Sequence, residues 1–265
     1  MKGNRVNKKQ RRHQRIIAAL AAHPTVRIST LAEEFGVSSE TVRRDIDELT
    51  QRGLVDRTYG GASVRHIGFQ PAVGEREGLA VAERSRIAHA AAGLVKPGDV
   101  LMIDSGSTTT QFARALAAEA HDLTVITNSQ GVANALVDIE AVRVVFCPGD
   151  FSGRERGVYG PETIAFLNRF YADLAFIGAS GLTPDGPTDV VSQACWVKRS
   201  MIDRASRSVL LVDSGKFGQK HLEIVCPLNR LSGIVTDAAP SGALAQAIAM
   251  AGIELRVAAA TAAAG

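Results

Sequence analysis

Two groups of residues in this sequence combine side-chain types and spacing that chemistry can use. The first is Ser38, Ser39, Thr41, Arg43 and Arg44, short hydroxyls followed at once by two guanidinium groups. A guanidinium is a planar fork of donors that fits a phosphate or the edge of a guanine, and hydroxyls add shorter contacts. The second is the unbroken run Asp104, Ser105, Gly106, Ser107, Thr108 and Thr109. Backbone N–H groups at a helix start, a glycine that permits close approach and several hydroxyls would cradle a phosphate. The plain alternative is a Ser/Thr helix cap, but a cap needs only one or two side chains, so the ligand reading is favoured. The spacing G-x-x-x-x-G-K-[ST] is absent, so the run is not a P-loop.

Three further residues belong with the second group. Asn128 has the chemistry to bind a sugar hydroxyl, and equally to cap the helix that follows it. Asp213 and Lys216 have the charges to hold a hydroxyl and a phosphate of one ligand, or to pair with each other.

Helices must position the first group. Counting from Ser38 or Ser39 as N-cap, Val42, Ile46 and Leu49 recur at i, i+4 and i+7 and form one apolar stripe. Leu31, Ala32 and Phe35 do the same just before, and Gly36 suits the sharp turn between. The pattern predicts a helix-turn-helix, with Arg43 and Arg44 pointing outward in the first half of the second helix and Asp45, Asp47 and Glu48 toward its end. A recognition helix enters the major groove with its N-terminal residues toward the bases. Surface pairs Arg43 with Asp47 and Arg44 with Glu48 are the bland alternative, at a few tenths of a kcal/mol each. Charge distribution argues against stopping there. Residues 1–32 carry eight Lys and Arg and no acid, and residues 1–65 hold 13 basic against 7 acidic groups, a net of +6. The remaining 200 residues hold 17 basic against 20 acidic, a net of −3. A basic head on an acidic body points to nucleic acid. The head lacks the aromatic stacking residues of RNA readers, which leaves double-stranded DNA.

Around that core the sequence predicts a basic arm over residues 1–9 and a helix over 13–23 with Ile16, Ile17 and Leu20 inward, closed by Pro24. Gly53 suits the end of the recognition helix, and residues 54–58 and 62–65 suit two strands of a wing joined through Tyr59, Gly60 and Gly61. Arg57 on that wing suits a backbone phosphate or the minor groove, and equally a plain exposed strand position. Residues 66–78 have no period and read as a linker, and residues 80–94 as a helix with Ile87, Ala91 and Leu94 on one face.

Beyond it, short aliphatic runs recur at residues 100–103, 123–127, 142–147, 174–178, 209–213, 233–236 and 253–257, with helical stretches between. Runs apolar throughout, alternating with helices, predict a largely parallel α/β sheet covered on both faces. Ligands of such sheets bind beyond the carboxyl ends of strands, where the second group of residues falls. Cys147, Cys195 and Cys226 are distant from one another and odd in number, which suits buried thiols in a reducing compartment. No run of 18 apolar residues occurs, so a cytoplasmic protein with no membrane partner is expected, and neither a metal nor a cofactor.

Taken in order, the motifs resemble the DeoR family of bacterial sugar-operon repressors. The head carries L-A-x-x-F-x-V-S-x-x-T-V-R-R-D at residues 31–45, G-L at 53–54 and R-x-x-G-G-A at 57–62. The body carries I-D-S-G-S-T-T at 103–109, T-N at 127–128, A-D-L-A-F-I-G at 172–178, V-K-R-S-M-I at 197–202, D-S-G-K-F-G at 213–218 and T-D at 236–237. The resemblance implies a winged helix-turn-helix, over residues 1–65, on an effector domain, over 79–257, with the linker at 66–78 between them, and the low-complexity composition of residues 258–265 predicts a disordered tail. It implies a Rossmann-like effector domain similar to ribose-5-phosphate isomerase and the CoA transferases, operator DNA and a phosphorylated sugar or polyol as partners, and a homo-oligomer, dimer or tetramer. Two positions depart from the family pattern: Gly149-Asp150 stands where Gly-Gly is common, and Ala194 stands where an acid is common. An isomerase with Asp104 or Asp213 as base and Lys216 as electrophile is the alternative, but it does not account for the basic head. A regulator without catalytic residues is expected.

Overall fold

The structure, a computed structural model, describes residues 8–22, 25–51, 55–58, 60–63, 70, 72–119 and 122–259. It divides into two units, Met1–His66 and Ile67–Gly265.

The first unit runs α1 (Lys8–Ala22), β1 (Thr25–Arg27), α2 (Ile28–Phe35), α3 (Ser39–Gln51), β2 (Asp56–Thr58) and β3 (Gly61–Ser63). Lys8 and Lys9 belong to α1 rather than to an arm, because good helix formers continue unbroken ahead of His13. Ile16, Ile28, Leu31, Ala32, Val42, Ile46, Leu49 and Val55 are buried together. The side chains of Ile17 and Leu20, and residues Pro24, Gly53, Leu54, Tyr59, Val64 and Arg65, lie outside the described ones. Gly36 ends α2 at φ 63, with its N–H turned to the carbonyls of Ala32 and Glu33. Ser38 caps α3: its hydroxyl accepts the Thr41 N–H at 3.2 Å. The wing has a third strand that the sequence does not announce, since β1 pairs antiparallel with β3, Val26 opposite Ala62. Both wing glycines are required. Gly60 takes φ 83, and a Cβ on Gly61 would lie 2.0 Å from the Val26 carbonyl oxygen.

The second unit runs α4 (Val73–Glu77), α5 (Val81–Ala92), β4 (Val100–Ile103), α6 (Ser107–Glu119), β5 (Leu123–Thr127), α7 (Gln130–Leu136), β6 (Val142–Phe146), β7 (Asp150–Ser152), β8 (Gly157–Tyr159), α8 (Pro161–Leu167), β9 (Ala172–Gly178), β10 (Gly181–Thr183), β11 (Gly186–Asp189), α9 (Ser192–Arg204), β12 (Ala205–Leu211), β13 (Glu223–Ile224), β14 (Gly233–Thr236), α10 (Gly242–Met250) and β15 (Glu254–Val257). The aliphatic runs are the seven strands of one parallel sheet, in the order β15-β14-β12-β9-β4-β5-β6. Alternate strand residues face opposite ways. Leu101, Ile103, Phe176 and Leu211 pack under α5, α6 and α7, and Met102, Ala175, Ile177 and Leu210 pack under α8, α9 and α10. From β4 the chain builds outward through β5 and β6, and from β9 it builds the other way. The β4/β9 boundary is thus the switch point at which such sheets open a crevice.

One sequence expectation needs correcting here. The stretch 66–78 is not a plain linker: it contains α4, and Gln70, Val73 and Arg76 within it are buried in the second unit. A five-residue helix leaves no legible period, and its stability comes from packing rather than from its own sequence.

Candidate functional site

In the first unit α3 presents Arg43 and Arg44 with 55% and 77% of their side chains exposed, and Glu40 is their carboxylate partner at 3.7 and 3.4 Å. Pairs so exposed contribute little and leave both cations available. Ser38 and Thr41 bond each other through their hydroxyls at 2.9 Å, and Ser39 is exposed beside them. Arg57 lies on β2, and its side chain is outside the described ones.

Two expectations about this helix are corrected. Asp45 is not on the outer face: it is buried, holding Arg12 at 2.7 Å and His13 at 3.2 Å. Glu48 does not take Arg44 but faces Lys9 at 2.5 Å and His13 at 3.8 Å. Arg15 likewise meets Glu34 at 2.9 Å and stacks on Phe35. Part of the basic excess in α1 therefore ties that helix to α2 and α3, while Lys8, Arg11, Arg27, Arg43 and Arg44 stay exposed.

In the second unit a pocket opens at the switch point. Ser105 and Gly106 from the β4–α6 turn and Ser107 and Thr108 from the start of α6 line it, with Gly178 at the end of β9, Ala179 after it, Lys198 from α9 and Lys216 from the turn after β12. The hydroxyls of Ser107 and Thr108 are buried there without a hydrogen-bond partner. Buried hydroxyls normally find partners, so these two mark a place for an acceptor.

Lys198 is the centre of charge. It lies 3.0 Å from Asp104 and 3.0 Å from Asp189, all three buried. Burial works to lower the ammonium's pKa, but the two carboxylates override it and hold Lys198 well above its ordinary value. Burial pushes Asp104 up, with Lys198 pulling it back, and one of its oxygens has no hydrogen-bond partner. Lys216 is also buried and donates to the Ala179 carbonyl at 2.6 Å. Burial lowers it to about 8, assisted by the charges of Arg84 and Arg76 and resisted by Asp213, which lies 3.7 Å away. Asp237 positions that turn by accepting from the Ser214 N–H at 2.6 Å and the Ser214 hydroxyl at 2.9 Å.

Of the residues expected at this site, Ser105, Gly106, Ser107, Thr108 and Lys216 line the pocket. The other four stand behind it. Asp104 is engaged by Lys198, and the Thr109 hydroxyl donates to the Gly106 carbonyl at 3.0 Å. Asp213 lies 3.7 Å from both Arg84 and Lys216. Asn128 neither faces the pocket nor caps a helix: it accepts from the Ser105 N–H at 3.1 Å and donates to the Val158 carbonyl at 3.0 Å. It thereby fixes the turn that carries the hydroxyls, while Ser129 caps α7. Sequence reasoning missed Gln70, Arg76, Glu155, Tyr159, Asp189 and Lys198. Lys198 alone had a signal, because it falls within the apolar stripe of Ala194, Val197 and Met201. Ala194, one of the two departures, is a pocket wall, and Asp150, the other, is exposed on β7.

Comparison with known proteins agrees with both halves. Residues 12–67 match the DeoR-like helix-turn-helix domain, and residues 79–238 match the DeoR C terminal sensor domain. The glycerol-3-phosphate regulon repressor of Escherichia coli (strain K12) is 30% identical over 242 residues, 91% of this chain and 96% of that protein. The HTH-type transcriptional repressor GlcR of Bacillus subtilis (strain 168) is 30% identical over 244 residues, 91% of this chain and 93% of its own length. Among solved structures, ribose 5-phosphate isomerase A of Methanocaldococcus jannaschii matches 51% of this chain and 53% of its own, at 21% identity and a TM-score of 0.38. With a helix-turn-helix in its first unit, a parallel-sheet sensor domain in its second and relatives that match nearly end to end, the chain belongs to the DeoR family of transcriptional regulators.

Proposed function

We propose that this regulator is a cytoplasmic repressor of a carbohydrate or polyol operon, released or recruited by a phosphorylated sugar or polyol. Ser38, Ser39, Thr41, Arg43 and Arg44 on α3, with Arg57 on the wing, contact operator DNA. Ser107, Thr108 and Lys216 hold the phosphoryl group, with Ser105 and Gly106 shaping its cradle and Asp104, Thr109, Asn128 and Asp213 positioning it. The observation that carries this reading is the pair of buried, unpartnered hydroxyls at the start of α6, beside the buried ammonium groups of Lys198 and Lys216. Phosphate oxygens are the acceptors such donors and cations fit. A relative named for the glycerol-3-phosphate regulon supports a phosphorylated polyol as the ligand class. A recognition helix reads one half-site, so the working form is a homo-oligomer, dimer or tetramer.

Thr108→Val keeps the shape and removes the donor. It should leave operator binding intact and abolish the response to sugar phosphates, read as the thermal shift that a ligand at 100 times its Kd gives, about 2.7 kcal/mol. An unchanged shift in that variant would eliminate the cradle. Catalysis is no part of the proposal, since Asp104 is engaged by Lys198 and Asp213 by Arg84 and Lys216. Turnover of pentose or hexose phosphates, lost in Asp104→Asn, would restore the isomerase alternative.

A further inference from the structure

The segment that follows the DNA-binding unit in the chain is built into the wall of this pocket. Gln70 and Arg76 are buried and line it. Gln70 Oε1 lies 2.7 Å from the Ser180 hydroxyl, which is 3.1 Å from Asp189, the partner of Lys198. The Gln70 carbonyl accepts from the Arg154 guanidinium, and the Val73 N–H donates to the Arg154 carbonyl at 3.0 Å. Arg76 is ion-paired with Glu155 between β7 and β8, and its carbonyl accepts from Arg84.

Two observations mark Arg76 as more than a strut. Its Nε and the Glu155 Oε1 are both buried without a hydrogen-bond partner, Arg154 Nε standing 3.9 Å from that oxygen, so the pair leaves a hydrogen-bond donor and acceptor unfilled. Its charge also crowds two other cations: burial is the largest cause that lowers both Lys216 and Arg84, and Arg76 lowers each further. Of these three cations Arg76 and Lys216 line the pocket, and two that disfavour each other's charge are best satisfied by an anion they can share.

We propose that Arg76 is a direct ligand of the phosphoryl group, which takes the guanidinium from Glu155. The proposal rests on the reading of the pocket as a phosphoryl site. A phosphoryl dianion neutralises Arg76 and Lys216 together and accepts from Ser107 and Thr108, whereas Glu155 divides its charge between Arg76 and, at 3.9 Å, Arg154. With the pocket filled, α4 is held by the ligand; with it empty, by Glu155. The ligand therefore binds differently to two states of the segment that joins sensor to reader, which a switch requires.

The test uses the full chain, with inorganic phosphate and glycerol 3-phosphate as probes, read by thermal unfolding and by amide exchange over residues 70–79. Losing charge-assisted bonds should make Arg76→Gln bind about tenfold more weakly or worse, with Arg76→Lys in between. Glu155→Gln should bind several-fold more tightly, because the competitor is gone; a merely structural pair would not produce that sign. Either probe should slow exchange over the segment in the wild type and not in Arg76→Gln. If Thr108→Val loses the probes while Arg76→Gln and Glu155→Gln respond like wild type, the role of Arg76 is overturned and the pocket stands. No response of the wild type to either probe overturns both. Should Arg76→Gln fail to fold, Glu155→Gln decides alone, and unchanged or weaker binding there rejects the proposal.

Discussion

Lys198 stands between Asp104 and Asp189 at 3.0 Å from each, with only 3% of its side chain exposed. Removing one member of such a group leaves an uncompensated buried charge, which typically costs about 3–5 kcal/mol. Lys198→Met should lower the urea midpoint of the second unit by a corresponding amount, and adding Asp104→Asn should recover part of it; no loss in the single variant would mean that the triad is not charged as described. Lys216 makes a pH prediction with two opposite signs. Its folded value of about 8 lies below the ordinary 10.5, so between these the unfolded chain binds a proton that the folded one does not, and the empty protein gains stability as pH rises. Phosphoryl binding needs the ammonium. It should strengthen through about pH 6, as the phosphomonoester becomes a dianion, and weaken above about 8. A titration by calorimetry that shows no fall above that point would separate Lys216 from the ligand. At this scale the sequence was legible wherever a side chain's neighbours are local. Thr108 and Lys216 follow strand ends and could be found that way. Asp45 misled because it sits roughly 40° around the helix from Leu49, at the edge of the buried stripe, and its partners Arg12 and His13 lie a whole helix away.

Elements were readable in proportion to how much of their stability their own pattern records. The inner runs of the parallel sheet are covered on both faces and so are largely apolar, which is why they were visible, while the edge strands β6 and β15 admit Arg143, Glu254 and Arg256 and are partly exposed. The short strands β7, β8, β10, β11 and β13, like α4, are two to five residues long and carry no such record. The wing is the intermediate case: Gly60 and Gly61 announce the hairpin, but not the third strand β1 that explains Gly61. A side chain there would collide with the Val26 carbonyl, so Gly61→Ala should separate β1 from β3 and lower both the melting temperature of the first unit and its affinity for DNA. Phosphate binding by the second unit should be unaffected. Wild-type DNA affinity in that variant would show that the wing takes no part in the contact.

For the whole molecule, the sequence places a basic unit of net charge +6 ahead of a body of net charge −3, and the structure resolves them into two units joined through residues around 66 and 67. What no sequence pattern records is that Gln70 and Arg76, just past that junction, line the sensor's pocket. Coupling between two sites is reciprocal: the factor by which effector changes affinity for operator equals the factor by which operator changes affinity for effector. The most direct measurement is a titration of the DNA upstream of its own gene with the full-length protein, over a range of salt, with and without glycerol 3-phosphate and a panel of sugar phosphates, for wild type and Thr108→Val. Binding should weaken linearly in log–log salt, as counterion release requires. At least one phosphorylated ligand should change the wild-type affinity by about 5–150-fold, and the variant's affinity not at all. Salt-independent attachment, or a wild-type affinity that no phosphorylated sugar or polyol alters, would contradict a DNA-binding head governed by a phosphoryl pocket.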